Sequence, residues 1–264
     1  MLSAVWLVPV VLLLLLSSAG VGIALRPRLR DYHRSNDTVD HVRLVVSILV
    51  TLTALVLGLA LTNVKGSFDA FDGRLRAFAG DLSNLDIHLR EYGDEAKPIR
   101  ASLREYVAAA IADSWRDEPA PPGVYPRFKD PGGVERRQLG TVLIRIDTAI
   151  HRLDPPDGFH QRLAEALSSQ MDEALGERRR LIETAHNTIT WPLMVAICTW
   201  LAVIFAVFGL LAPRNVVVQL TIVVCALCVA SATFLIVDFD SPFNGPLHVS
   251  SDSMRDALND IDAP

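Results

Sequence analysis

Four long apolar runs alternate with charged segments along the chain. The runs are Leu2–Leu25, Leu44–Val64, Trp191–Ala212 and Val216–Val237. None of them contains Lys, Arg, Asp, Glu or His, and each has the roughly 20 apolar residues that a helix needs to cross a bilayer. The pattern therefore predicts an all-α integral membrane protein with four transmembrane helices.

The second apolar run continues beyond the expected membrane boundary as a periodic stripe. Its apolar residues follow at alternating spacings of three and four: Leu61, Val64, Phe68, Phe71, Leu75, Phe78, Leu82, Leu85, Leu89 and Tyr92. This spacing is typical of one face of a helix that packs in a bundle or coiled coil. The later members lie among charged residues, so we predict one helix that leaves the membrane and ends near Tyr92.

Three more helices are predicted before the third apolar run. The first covers about Pro98–Trp115, the second carries the apolar positions from Leu139 to Leu153, and the third begins near Phe159. Short turns favour an extramembrane up-down four-helix bundle, with a Pro-rich loop at Pro119–Gly133. The predicted divisions are transmembrane helices 1 and 2 with an Arg-rich loop (1–64), the bundle (65–190), transmembrane helices 3 and 4 (191–237) and a tail (238–264).

Arginines indicate how the helices are oriented. Arg26, Arg28, Arg30 and Arg34 lie between the first two runs, and Arg214 lies between the last two. Short loops rich in arginine tend to stay in the cytoplasm. We therefore predict that both termini and the bundle are extracytoplasmic. Because the arginines follow the first run, we expect a retained helix in place of a cleaved signal peptide.

The second run also carries small or weakly polar residues on one face. The candidate site residues are Ser47, Thr51, Gly58 and Thr62. Small residues let membrane helices approach closely, so packing within the chain or an oligomer is the simpler interpretation. The alternative is a pore lined by this face. Similar stripes in the last two runs are Thr199, Ala202, Ala206 and Gly209, and Thr221, Cys225, Cys228 and Ala232.

No motif indicates an enzyme, a cofactor or a metal centre. The sequence lacks a nucleophile elbow, a zinc-protease motif, a phosphate-binding loop and a dinucleotide fingerprint. Glu183 with His186 and His88 with Glu91 resemble halves of a di-iron site, but helical rise separates them by roughly 24 Å along the bundle. Charges of both signs are interspersed, without a basic stripe, so we also expect no nucleic acid.

The most distinctive polar segment follows the fourth run. It carries the turn-forming residues Pro242, Asn244, Gly245 and Pro246. Ser251 is predicted to cap a last short helix with Met254, Leu258 and Ile261 on its apolar side. We expect the tail to fold against the bundle. The alternative is a plug or docking strand near the Pro-rich loop, which includes Tyr125.

This tail resembles the terminal signature of the bacterial bestrophin-like membrane proteins, a family defined by a domain of unknown function. The signature residues are Asp240, Pro242, Phe243, Gly245 and Pro246. Arg26–Arg34, Tyr106, Trp115 and the Arg-rich segment Glu177–Leu181 agree with the same family. The resemblance implies four spans in a bacterial inner membrane and a helical insertion between spans two and three. It supplies no established activity.

Similarity to true bestrophins, which are pentameric anion channels, is weaker. Their pore helix has an apolar and aromatic neck, whereas Leu44–Val64 contains no aromatic residue. Their large domain is cytoplasmic, and their acidic calcium-binding cluster has no convincing match in Asp238 and Asp240. No binding residue is therefore transferred to this chain.

Two hypotheses from different functional classes follow, and neither is an enzyme. The first is a homo-oligomeric ion channel that conducts anions through a pore lined by the second span. The second is a non-conducting envelope sensor or scaffold, whose bundle binds a ligand or a membrane or envelope protein. Both place the chain in a lipid bilayer.

Overall fold

In a computed structural model of the chain, the described residues form helices and no strands. Those residues are 4–28, 36–128, 136–185, 191–213, 215–240, 242–243 and 246–263. The α-helices are α1 (Ala4–Leu25), α2 (Asn36–Tyr92), α3 (Lys97–Ser114), α4 (Arg137–Ile150), α5 (Gly158–Ala185), α6 (Trp191–Leu211), α7 (Val216–Phe239) and α8 (Asp252–Asp262). Four of them, α1, α2, α6 and α7, are long and apolar enough to cross a membrane. The predicted all-α class and four spans are confirmed.

The chain divides into two compact units. The first, here called the membrane unit, contains Met1–Phe68 and Thr188–His248. The second, the polar unit, contains Asp69–Asn187 and Val249–Pro264. As the unbroken apolar stripe predicts, α2 is a single helix, and its residues belong to both units. The tail is also divided, because its first residues belong to the membrane unit and α8 belongs to the polar unit.

The core of the membrane unit lies where α1 packs against α6 and α7. Its buried residues are Val11, Leu15, Ala19, Val46, Ile197, Leu201, Ile204, Phe205, Ala226 and Ala230. Ala60 and Val64 of α2 form a smaller cluster with Ile236 of α7. The remaining outer faces of these helices are apolar and exposed, as expected for surfaces that contact lipid or other membrane helices.

Two glycines bring the backbones of α1 and α6 together. A Cβ atom placed on Gly22 would lie 2.0 Å from the carbonyl oxygen of Ala206, and one placed on Gly209 would lie 2.0 Å from that of Ala19. Any side chain at either position would therefore overlap the backbone of the other helix. Two small residues of the stripe in the third span, Ala206 and Gly209, therefore lie where α1 and α6 cross.

The fourth span packs through a face that the sequence reasoning did not select. The buried small residues of α7 are Ala226, Ala230 and Thr233. By contrast, Cys225 and Cys228, which were assigned to the small stripe, are exposed. The buried residues and the predicted stripe both have helical spacing and similar composition. Only the packing of α7 against α1 shows which of the two faces is buried.

The polar unit is built on the predicted apolar face of α2. The deeply buried residues on this face are Phe71, Leu75, Phe78, Leu82, Leu85 and Leu89, none more than 2% exposed. Within the unit, α3 packs against α4 and α8, and α4 packs against α5. The helix bounds agree with the sequence prediction, whereas the up-down order of the four bundle helices remains a prediction.

The tail helix α8 is confirmed, and Ser251 is its N-cap residue as predicted, but without the expected capping hydrogen bond. Met254, Leu258 and Ile261 are buried, as expected for an amphipathic helix. The Ser251 side chain makes no capping hydrogen bond. Its hydroxyl instead donates to the carboxylate of Glu118, because that acceptor lies within reach in the folded polar unit.

Candidate pore-lining surface

One face of α2 in the membrane unit is exposed in the single chain. Ser47, Thr51, Gly58 and Thr62 are all exposed. At about 100° per residue, these four positions fall within about 60° of one another around the helix axis. They therefore form a single narrow surface, called here the α2 stripe.

The hydroxyl groups of the α2 stripe bond to their own helix. Ser47 donates to the Arg43 carbonyl at 2.8 Å, and Thr51 donates to the Ser47 carbonyl at 2.9 Å. Thr62 donates to the Gly58 carbonyl at 3.0 Å. Because each proton is used within the helix, the oxygens remain available as acceptors, with methyl and methylene groups beside them. The stripe is therefore weakly polar and compatible with water, lipid or another helix.

Gly58 has a different environment from the glycines of the α1–α6 crossing. A Cβ atom at Gly58 would have no neighbouring atom within 4 Å. Packing within the protomer therefore does not require glycine here. The α2 backbone is therefore not covered at Gly58 by other parts of the chain.

A basic side chain follows the stripe at the end of the span. Lys65 comes one turn after Thr62, and its ammonium lies 5.7 Å from the Phe68 ring centre and 5.6 Å from that of Phe239. Both distances are within the range of a cation–π interaction. These contacts hold a positive charge at one end of the stripe.

The lysine contacts Phe239, the residue that precedes the tail signature in the membrane unit. The Phe239 ring packs edge-on against Phe68 at 5.2 Å, and Asp240 ends α7. Asp238 is fully buried, and its carboxylate accepts the Leu247 backbone N–H at 3.0 Å. The chain therefore folds back on the end of α7.

The individual signature residues differ in exposure. Pro242 and Phe243 are partly buried, whereas Pro246 is exposed. Gly245 and its neighbour Asn244 lie outside the described residues. The hydrogen bond from Leu247 to Asp238 joins two residues that flank the signature in the sequence.

A buried carboxylate that sequence reasoning missed organises the polar unit. Asp86 is 1% exposed and accepts hydrogen bonds from Arg90 Nε at 2.8 Å and Arg100 Nε at 2.7 Å. Arg100 also donates to the carbonyls of Ile261 and Ala263, at 2.6 and 2.9 Å. Asp86 thus connects α2 and α3 to the end of α8.

A second missed carboxylate, Asp113, joins the ends of α3 and α4. Arg136 binds it through two hydrogen bonds of 2.8 and 3.0 Å, and Arg116 adds a third at 2.9 Å. Nearby, the Trp115 indole donates to the Val249 carbonyl at 2.7 Å. Trp115, one of the residues that carried the family resemblance, therefore holds the tail just before α8.

Tyr106, the other aromatic residue of that resemblance, belongs to the core. It is 1% exposed, and its ring meets that of Phe78 edge-on at 6.4 Å. Burial raises the pKa of the phenol, and the nearby Arg178 guanidinium opposes this only in part. Tyr106 is therefore neutral at physiological pH and acts as a packing residue.

The described residues contain no cluster of three or more His, Cys, Asp and Glu side chains that could hold a metal ion. His186, one member of the Glu-x-x-His pair, lies outside the part of the chain that the structure describes. The absence of a di-iron site therefore remains a prediction from the sequence.

Comparison with solved structures identifies the fold. A variant of a bacterial bestrophin homologue from Klebsiella pneumoniae superposes with a TM-score of 0.68 at 13% identity, covering 99% of this chain and 97% of that chain. Another structure of a Klebsiella pneumoniae bestrophin homologue gives 0.62 at 13% identity, covering 94% and 96%. A structure described as a membrane protein gives 0.66 at 12% identity, covering 96% and 97%. At such low identity these likenesses show the fold alone.

Sequence comparisons determine the family. No curated protein matches the sequence. The model of the Bestrophin-like domain matches residues 11–254, which include most of the first span, the other three spans and most of the polar unit. The chain therefore belongs to the Bestrophin-like family.

Proposed function

We propose that the protein is a non-enzymatic, homo-oligomeric ion channel in the inner membrane, and that the α2 helices of its subunits line the pore. The observation that carries the proposal is the α2 stripe, which is exposed, weakly polar and unused by the protomer's own packing. Membership of the Bestrophin-like family supports it.

The proposed pore requires an oligomer. One α2 helix cannot enclose a water-filled path, but several copies around a closed symmetry axis can. The same narrow stripe of every copy would then face the axis. The four residues of the stripe are small or weakly polar, so they would leave room for ions along the axis. The uncovered backbone at Gly58 is consistent with this arrangement.

We propose anions as the conducted ions. The segment Ser47–Thr62 contains no acidic side chain, and Lys65 supplies a positive charge one turn beyond it. A ring of such lysines at the end of a pore would raise the local concentration of anions.

Tryptophan substitution on the stripe tests the channel. Thr51→Trp and Gly58→Trp should each reduce anion flux to the background of empty vesicles, because one indole from every subunit would fill the path. Leu52→Trp and Leu59→Trp are matched controls, since these side chains are 46% and 62% exposed on another face of α2. Flux is measured as chloride efflux from vesicles that contain equal amounts of folded protein.

Wild-type efflux equal to that of empty vesicles would contradict the proposal. So would equal efflux from the stripe variants and their controls. Potassium efflux from the same vesicles tests ion preference, and the anion assignment fails if potassium leaves faster than chloride.

The orientation remains the prediction made from the arginine loops, and Arg30, Arg34 and Arg214 lie outside the described residues. Val124 in the Pro-rich loop is 88% exposed, whereas its neighbour Tyr125 is 7% exposed and donates to the Pro121 carbonyl at 2.9 Å. Val124→Cys is therefore the better labelling site. In a background without the native cysteines, an impermeant thiol reagent should label it in intact cells if the polar unit is extracytoplasmic.

Labelling of Val124→Cys only after permeabilisation would place the polar unit in the cytoplasm. That outcome would overturn the charge argument and match the orientation of true bestrophins. A cysteine at buried Leu103 is the control for reagent access, since it should remain unlabelled in both preparations of folded protein.

A sensor or scaffold is the second candidate function. The polar unit contains a groove of about 540 Å³ beside Asp81, Asp172 and Glu173, which suits a cationic ligand. Wild-type protein that is inactive in the efflux assay but is thermally stabilised by a small organic cation would favour this candidate.

A further inference from the structure

The membrane unit contains a groove along the edge of the α2 stripe. Its volume is about 790 Å³, and its walls come from α2, the end of α6 and the first half of α7. The residues that carry the argument are Arg43, Ser47, Thr51, Ala212, Thr221 and Cys225. Ser47 and Thr51 also belong to the α2 stripe, so the groove borders that surface.

The groove is nearly as deep as one membrane leaflet. On α2 its lining extends from Arg43, at the start of the apolar run, to Thr51. Eight residues of helix rise about 12 Å. The hydrocarbon core of a bilayer is about 30 Å thick, so one leaflet contributes about 15 Å. The groove therefore begins at the membrane edge and descends through most of one leaflet.

The walls suit an acyl chain. Ser47, Thr51 and Thr221 donate their hydroxyl protons to carbonyls of their own helices, at 2.8, 2.9 and 2.9 Å. Among the described residues, no buried side-chain atom without a hydrogen-bond partner lies in this lining. The groove thus presents mainly apolar atoms and demands no polar ligand along its length.

The mouth of the groove is basic. The Arg43 side chain is 67% exposed and pairs at 3.3 Å with Asp40, which is 70% exposed. Such an exposed pair is weak, so a phosphate could replace the carboxylate or share the guanidinium with it. Arg26 donates to the carbonyl of Ala212, a groove residue, and adds positive charge nearby.

We propose that this groove binds one anionic phospholipid, with an acyl chain along its walls and the phosphate group against Arg43. The charge at the mouth selects the headgroup, and the leaflet-deep apolar wall selects a lipid over a soluble anion. Basic pockets at the ends of membrane helices commonly recognise anionic lipids in this way. The proposal does not depend on ion conduction.

Native mass spectrometry of the full-length protein in detergent tests the site. Phosphatidylglycerol and phosphatidylcholine are titrated separately, and both bound lipid and subunit number are counted. Arg43→Gln should weaken phosphatidylglycerol binding about fivefold, the effect expected of one basic residue near a membrane surface. Arg76→Gln is the matched control, because Arg76 pairs with Asp72 on the same helix, at 2.6 Å, but lies outside the groove.

A second pair of variants tests the wall independently of charge. Thr221→Trp fills the groove and should abolish binding of phosphatidylglycerol while the subunit number stays unchanged. Val224→Trp places the same side chain on an exposed α7 position outside the lining and should bind lipid as the wild type does.

Four results would overturn the proposal or its headgroup assignment. Phosphatidylglycerol binding could be equal in Arg43→Gln and the wild type, or equal in Thr221→Trp and Val224→Trp. Alternatively, Thr221→Trp could change the subunit number and leave the number of bound lipids unchanged. That result would mean that a second copy of the chain covers the groove. Equal affinity for phosphatidylcholine would overturn the headgroup assignment.

Discussion

Replacing Gly22 or Gly209 by leucine should prevent the membrane unit from folding. In each case the Cβ atom alone would lie 2.0 Å from a backbone carbonyl oxygen of the facing helix. A rotamer change cannot relieve that overlap, because the Cβ position is fixed by the backbone. The helices would have to separate, and the buried residues of α1 would lose their contacts with α6. The cost should exceed the roughly 1–3 kcal/mol of ordinary overpacking.

The measurement is the yield of monodisperse protein by size-exclusion chromatography in detergent. Gly20→Leu is the matched control, since it lies on the same helix and a Cβ atom there would meet nothing within 4 Å. Gly22→Leu and Gly209→Leu should give aggregate, while Gly20→Leu should behave as the wild type. Similar yields from Gly22→Leu and Gly20→Leu would show that the α1–α6 crossing is not as close as described.

Replacing Asp86 by alanine should be the most damaging change in the polar unit. The carboxylate is 1% exposed and binds two arginines, so its loss would leave both guanidinium groups close together without their common partner. Breaking a buried ion pair typically costs about 3–5 kcal/mol. Because the side chains of Arg90 and Arg100 are 30% and 26% exposed, solvent should reduce the cost to about 3 kcal/mol.

Denaturant unfolding of the full-length protein, followed by tryptophan fluorescence, measures this effect. Trp115 reports on the polar unit because its indole bonds to the tail at Val249. Asp72→Ala is the control, since its partner Arg76 is 69% exposed and the pair should contribute no more than about 1 kcal/mol. Equal losses for Asp86→Ala and Asp72→Ala would contradict the role assigned to Asp86.

Helices and their buried faces were predicted best where many apolar residues repeat at helical spacing. Ten apolar residues of α2 follow one helical period from Leu61 to Tyr92. The continuous helix and its buried face could therefore be predicted without any knowledge of the segments that pack against it. The tail helix was predictable for the same reason, as Met254, Leu258 and Ile261 have helical spacing. Periodicity reports which face is buried, because burial of that face stabilises the helix wherever its partner lies.

Pairings between distant residues could not be predicted in this way. Gly22 and Gly58 are both glycines within apolar runs, yet only Gly22 meets a facing backbone. Asp86 has the same local pattern as a surface aspartate paired with an arginine four residues later. Its burial becomes evident only when Arg100 and the end of α8 are placed around it. The roles of Gly22 and Asp86 depend on contacts with distant segments of the chain, and the neighbouring sequence does not show those contacts.

The central claim is that the α2 stripe lines an ion-conducting pore, and current through Thr51→Cys tests it most directly. The purified variant, without its native cysteines, is recorded in a planar bilayer before and after a negatively charged methanethiosulfonate reagent. The account predicts an anion current that falls on modification, because each added charge would lie in the ion path. A membrane that carries no current, or a current unchanged after modification is verified by mass spectrometry, would contradict it.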